Sequence, residues 1–173
     1  MVLKDLGDIE EALNRVGELL AATGHEYAIV VLGGAALDLL GIVNRETRDV
    51  DILTFAEPRP GREPSPDTVD EVPRPMPEPL QRAARIVARD LGLDLDWLNT
   101  EPSLQLRGGL PPGLAARVRW QLYGALWVGL VHRNDLVFFK LFASVDSGGP
   151  KSVHYQDLIA LRPSPGELLD AAA

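Results

Sequence analysis

Residues 27–55 read YAIVVLGGAALDLLGIVNRETRDVDILTF, and this stretch decides the fold class. Tyr27 to Leu32 is a continuous apolar run of strand length, which reads as a central strand buried on both faces. Gly33-Gly34 ends it, and a short helix, Ala35 to Leu40, is expected at once. Arg48 to Phe55 then alternates, with Asp49 and Asp51 on one side of a second strand and Val50 and Ile52 on the other. Strand, helix and strand in such close order predict an α/β or α+β domain: a small mixed β-sheet with helices packed on one side and further helices at the C-terminus.

The remaining elements extend the same pattern. Leu3, Leu6, Ile9, Leu13, Val16 and Leu19/Leu20 recur at helical spacing ahead of the first strand, with Gly24 as the stop. From Glu57 to Pro79 the composition changes: eight of the fourteen prolines fall there, with six acids and three bases. Such proline density leaves no regular element, so 57–79 is expected to be an exposed inserted loop and a candidate lid. Leu80 to Leu91 returns to helical spacing, with Arg82, Arg85 and Arg89 as a solvated face. Leu93 to Leu98 (LDLDWL) alternates and reads as a third strand, with Asp94 and Asp96 on one face. Pro111 to Leu130 is expected to hold a turn and one or two strands. Asn134 caps a helix Asp135 to Val145 containing Lys140. A last helix from Lys151 or Ser152 carries His154, Asp157 and Leu161, and a terminal turn lies at Glu167 to Leu169.

Composition narrows the function. A chain of 173 residues fits one domain, residues 1–173, with one core. With no cysteine there is no disulfide framework, thiolate metal site or cysteine nucleophile. The N-terminus is acidic and the longest apolar stretch, Gly124 to Val131, is too short for a bilayer, so the chain reads as cytoplasmic. A net charge of −8 opposes non-specific binding to a phosphate backbone. No P-loop, GxSxG elbow, HExxH or Rossmann glycine motif is present.

What remains is the carboxylate pair. Two carboxylates at i and i+2 on a strand repel one another unless a cation lies between them, and hard oxygen ligands suit Mg²⁺ or Mn²⁺. Gly33 and Gly34 leave a bare backbone that a triphosphate can approach, beside the N–H groups of a helix start. Trp120, Trp127, Phe138, Phe139 and Phe142 read as core or partner surface, and His154 as a surface histidine, with a place at a phosphate site as its alternative.

The segment VVLGGAALDLLGIVNRETRDVDIL, residues 30–53, resembles the signature of the DNA polymerase β-like nucleotidyltransferases: Gly-Gly, a spacer, then Asp-apolar-Asp. The later Asp96-Trp97-Leu98-Asn99, Lys140 in DLVFFKLFA and Asp157-Leu158 match the order in compact bacterial families related to abortive-infection nucleotidyltransferase toxins. The resemblance runs from Val30 to Leu161 without the proline-rich insertion. It implies transfer of a nucleoside monophosphate from an NTP to a hydroxyl of RNA, such as a tRNA end, or of a protein. Asp49, Asp51 and Asp96 would hold Mg²⁺ or Mn²⁺, with Asp94 as the alternative to Asp96. Gly33 and Gly34 would cradle phosphates, Lys140 would neutralise them, and Asp157 would orient Lys140 or the base. A cognate antitoxin protein would be a partner. The other expectation is a catalytically silent nucleotide-binding or protein-interaction module on the same fold.

Overall fold

A computed structural model describes residues 3–44, 46–71, 74–101 and 109–172. Arg45, within the quoted segment, and residues 72–73 of the proline-rich stretch lie outside them. Helix α1 (Leu6–Ala22) presents Ile9, Ala12, Leu13, Val16 and Leu20 as a buried stripe, and Asp5 caps its start by accepting from the Asp8 N–H. It leads into β1 (Tyr27–Leu32), α2 (Gly33–Leu39) and β2 (Val50–Ala56). Then come α3 (Glu78–Leu91), β3 (Leu98–Asn99), α4 (Leu114–Arg117) and the antiparallel pair β4 (Arg119–Tyr123) and β5 (Leu126–Leu130). Helices α5 (Arg133–Asp146), α6 (Val153–Leu161) and α7 (Pro165–Ala172) close the chain.

The strands form one mixed sheet in the order β3-β2-β1-β5-β4. β1 runs antiparallel to β2 and parallel to β5, and β2 runs parallel to β3. Ala28 to Val31 are all buried, as are the five residues of β5. Successive strand residues point to opposite faces, so both faces of the middle of the sheet are covered; the expectation of cover on one side only is corrected here. α1 contacts α2, α3, β4 and β5, and α5 contacts α6 and α7. α1 meets the β4–β5 turn so closely that a Cβ on Gly17 would collide with the Tyr123 carbonyl oxygen. Among the described residues no helix is long and apolar enough to cross a membrane.

Four local readings change. Leu93–Leu98 is not a strand: Gly92 ends α3 in the left-handed conformation, Asp94, Leu95 and Asp96 are exposed, and pairing covers only Leu98 and Asn99. Helix α5 starts two residues earlier than expected, with His132 rather than Asn134 as its cap, since His132 Nδ1 accepts from the Asn134 N–H. The terminal turn is a helix, α7, held by Arg133 donating to Glu167 at 2.9 Å. Finally, the proline-rich stretch is stitched back onto β2: Asp70 N donates to the Phe55 carbonyl at 2.8 Å, and Thr54 Oγ1 donates to the Asp70 carbonyl at 2.8 Å. Proline cannot supply ladder donors, so the non-proline residues around it do the pairing.

Candidate functional site

The first wall of the site is the junction of β1 and β2. The two strands pair in one register from Ala28↔Ala56 to Val30↔Thr54 and then slip, so that Val31 faces Ile52 and Leu32 faces Asp51. The extra residue at Leu53 is a β-bulge, which commonly re-aims side chains beside functional sites. Continuing the first register would set Leu32 against Ile52; the bulge delivers Asp51 to the end of β1, beside Gly33. That contact is tight: Gly33 has φ +81°, and a Cβ there would sit 2.5 Å from Asp51 Oδ2. Glycine is therefore required twice, for the left-handed backbone and for the space.

On its other side Asp51 pairs with Asn99 of β3. Asn99 Nδ2 donates to Asp51 Oδ1 at 3.2 Å, and its Oδ1 accepts from the Glu101 N–H at 2.9 Å, which fixes the orientation of the amide. Asp49 stands just ahead of β2 and is exposed. The Thr47 hydroxyl donates to the Asp49 carbonyl at 3.2 Å, and Thr47 forms a two-bond bridge with Leu3, so the N-terminal segment braces this corner. Burial and then the neighbouring Asp49 charge push the Asp51 carboxyl up to about 6 from its ordinary 3.8, against the opposing pull of the Asn99 amide and Lys140.

The second wall comes from the C-terminal helices. Lys140 Nζ donates to Asp157 Oδ2 at 2.7 Å, joining α5 to α6 through side chains only 6% and 3% exposed. A lysine on an apolar helix usually extends to solvent. This one does not, and its charge is felt at Asp51.

Between the walls lies a cavity of about 680 Å³. Gly33, Gly34, Asp49, Asp51, Lys140 and Asp157 all line it, which are six of the seven residues expected from the sequence. Asp96 is the exception. It stands exposed in the turn before β3 and does not reach the cavity, because the alternation of LDLDWL comes from a turn anchored by Trp97, whose indole N–H donates to the Ala84 carbonyl at 2.9 Å. Asp94 is exposed in the same turn. Where a third strand carboxylate was expected, Asn99 lies beside Asp51. The described part of 57–79 does not line the cavity either, so the lid expectation is withdrawn: the loop leaves from the Ala56 end of β2, opposite Asp51.

The cavity also has residues outside those seven. Phe138, Phe139 and Phe142 line it, as do Asp146 of α5 and His154 of α6. The signal for Phe138, Phe139, Phe142 and Asp146 was the α5 spacing, which looks the same for a core stripe and a cavity wall.

Among the described residues no group of three or more histidine, aspartate or glutamate side chains is placed to hold a metal ion. Two carboxylates that repel each other fit a hard divalent cation whose remaining ligands are water and substrate phosphate, a common arrangement for Mg²⁺. The α2 helix is only seven residues long, so what it offers a phosphate is the bare Gly33 backbone rather than a helix dipole. Comparison with protein-family models, with curated proteins and with solved structures finds no match.

Proposed function

We propose that this chain is a metal-dependent nucleotidyltransferase on the DNA polymerase β-like fold. One observation carries the reading: a single cavity joins the Gly33–Asp51 contact to the buried Lys140–Asp157 pair, residues that resemble the family's motifs and come from distant parts of the chain. Asp49 and Asp51 would hold Mg²⁺ or Mn²⁺, which when bound neutralises phosphate charge and polarises the phosphorus. Gly33 and Gly34 leave room for the triphosphate. Lys140, oriented by Asp157, faces the same space and offsets the charge of the departing pyrophosphate. In the transfer a hydroxyl oxygen forms a bond to the α-phosphorus, the bond from that phosphorus to the β-phosphate oxygen breaks, and the hydroxyl proton is released.

The acceptor class that the resemblance suggests is a tRNA end or a protein hydroxyl, in a toxin paired with an antitoxin protein, acting in the cytoplasm. Incubation with each α-labelled NTP, Mg²⁺ or Mn²⁺, and pools of tRNA and cellular protein tests it, with Asp51→Asn in parallel. Label in RNA or protein that disappears with Asp51→Asn supports the transferase. NTP binding without transfer of label would favour the second reading, a catalytically silent nucleotide-binding or protein-interaction module. The observation behind that second reading is Asn99, an amide beside Asp51 where the resemblance led us to expect a carboxylate.

A further inference from the structure

The cavity is polar at the Asp51 end and aromatic along α5, and the aromatic part holds an oddity. Phe142 lines the cavity and yet is 55% exposed. One turn before it on the helix stands Phe138, whose ring centroid is 4.8 Å away at a tilt of 47°, so Phe142 is braced from one side and open on the other. Asp146, one turn further on, is exposed and lines the same cavity. Residues four apart share a helix face. Lys140, which marks the phosphate end, lies on the same helix just before Phe142, and the rise of about 1.5 Å per residue sets Asp146 roughly 9 Å beyond it along the axis.

We propose that Phe142, backed by Phe138, is the platform on which the nucleobase of the NTP stacks, and that Asp146 selects among bases at the far end. This rests on the nucleotidyltransferase reading. An open aromatic face beside a phosphate-sized polar site suits a flat π-system, because every base offers one. A carboxylate only accepts hydrogen bonds. It favours base edges rich in N–H donors, namely the amino groups of adenine and cytosine and the N1–H and amino group of guanine. Uracil offers a single N–H between two carbonyl oxygens, and those oxygens meet the carboxylate unfavourably. UTP is therefore the poorest of the four nucleotides.

The test is equilibrium binding of ATP, GTP, CTP, UTP and inorganic tripolyphosphate, each with Mg²⁺, to the wild type, Phe142→Ala, Phe142→Tyr and Asp146→Asn. Both substituted positions are exposed, so the variants keep the fold, which a thermal melt verifies. Phe142→Ala is expected to weaken every NTP by about tenfold or more, the usual value of one base–aromatic stack, and to leave tripolyphosphate unchanged. Phe142→Tyr keeps wild-type binding. Asp146→Asn narrows the gap between UTP and the other three, because an amide can also donate. Equal NTP affinity in the wild type and Phe142→Ala, with tripolyphosphate bound by both, overturns the platform and leaves the nucleotidyltransferase reading standing. Failure of the wild type to bind either tripolyphosphate or any NTP overturns both.

Discussion

The two walls of the cavity answer opposite physical demands. The β1–β2 wall brings like charges together: Asp49 and Asp51 repel, and Asp51 is raised to about 6. The α5–α6 wall brings opposite charges together and buries them, Lys140 on Asp157 at 2.7 Å. A wall that is costly in the free protein becomes favourable only when a cation arrives, whereas a satisfied buried pair is structural before any ligand binds. The comparison teaches that the carboxylate wall carries a cost that a bound cation would relieve, as the proposed function requires, while the ion pair holds the helices in place with no ligand.

The largest expected effect breaks the first wall. Asp51→Asn should lower transfer by on the order of a thousandfold, where every factor of ten is about 1.36 kcal/mol of barrier. The same change should raise stability in metal-free buffer at neutral pH, by on the order of 1 to 2 kcal/mol once solvent screening is allowed for. The sign follows from the folded value of about 6 lying above the ordinary 3.8. The native state holds this proton more tightly than the unfolded chain, so Asp51 favours the fold as pH drops from 6 towards 3.8 and loses that contribution as pH rises through 6. Activity assays and denaturant melts on metal-free protein at pH 5 and pH 7.5 measure both; a less stable Asp51→Asn at pH 7.5 would refute the strain.

Breaking the second wall should show mainly as instability. Asp157→Ala leaves the Lys140 ammonium buried and unpaired, at a cost of about 3 to 5 kcal/mol. Replacing both, Lys140→Met with Asp157→Leu, should recover most of that loss, and thermal melts of the three proteins decide the matter. Activity should not return in the double variant, which separates the pair's structural part from its part at the cavity.

Gly33→Ala is an intermediate case, because it joins the two demands at one atom. The left-handed backbone costs an alanine about 1 kcal/mol or more, and the new Cβ displaces Asp51 Oδ2. Misplacing a reacting group by about 1 Å can cost a hundredfold in rate, so transfer should fall by roughly ten- to a hundredfold while the melt drops only modestly. An unchanged rate would mean that Asp51 does not act from this position.

The smallest effect is expected at Asp96. Exposed in a turn and outside the cavity, Asp96→Asn should change stability by no more than about 0.5 kcal/mol and leave transfer unaltered. A large loss of activity would restore it to the site and overturn the geometry described for the turn before β3.

Asp96 marks where sequence reading stops. LDLDWL satisfies the strand period, but a turn can show the same alternation, and Leu95, which a strand would set on the face opposite Asp94 and Asp96, is 59% exposed. What separates the two outcomes is Gly92 at the end of α3 and the reach of the Trp97 indole to Ala84, thirteen residues earlier. Phe142 reads as core or partner surface rather than cavity wall for a related reason, since helical spacing reports which residues share a face and not what that face meets. Asn99 stood in the quoted motif, but nothing local ties it to Asp51, forty-eight residues away.

The amino-acid sequence by itself determined the local parts: the buried run of β1, the glycines that end it, the Asp-Val-Asp run leading into β2, and the helices carrying Lys140 and Asp157. These follow from side-chain period and backbone freedom, which act over a few residues. The tertiary structure decided the rest: the bulge at Leu53 that turns Asp51 towards Gly33, the cover on both faces of the sheet, the Asn99 amide on Asp51, and the aromatic lining of the cavity. Each depends on register or packing between segments far apart in the chain, where a shift of one residue exchanges the face a side chain occupies.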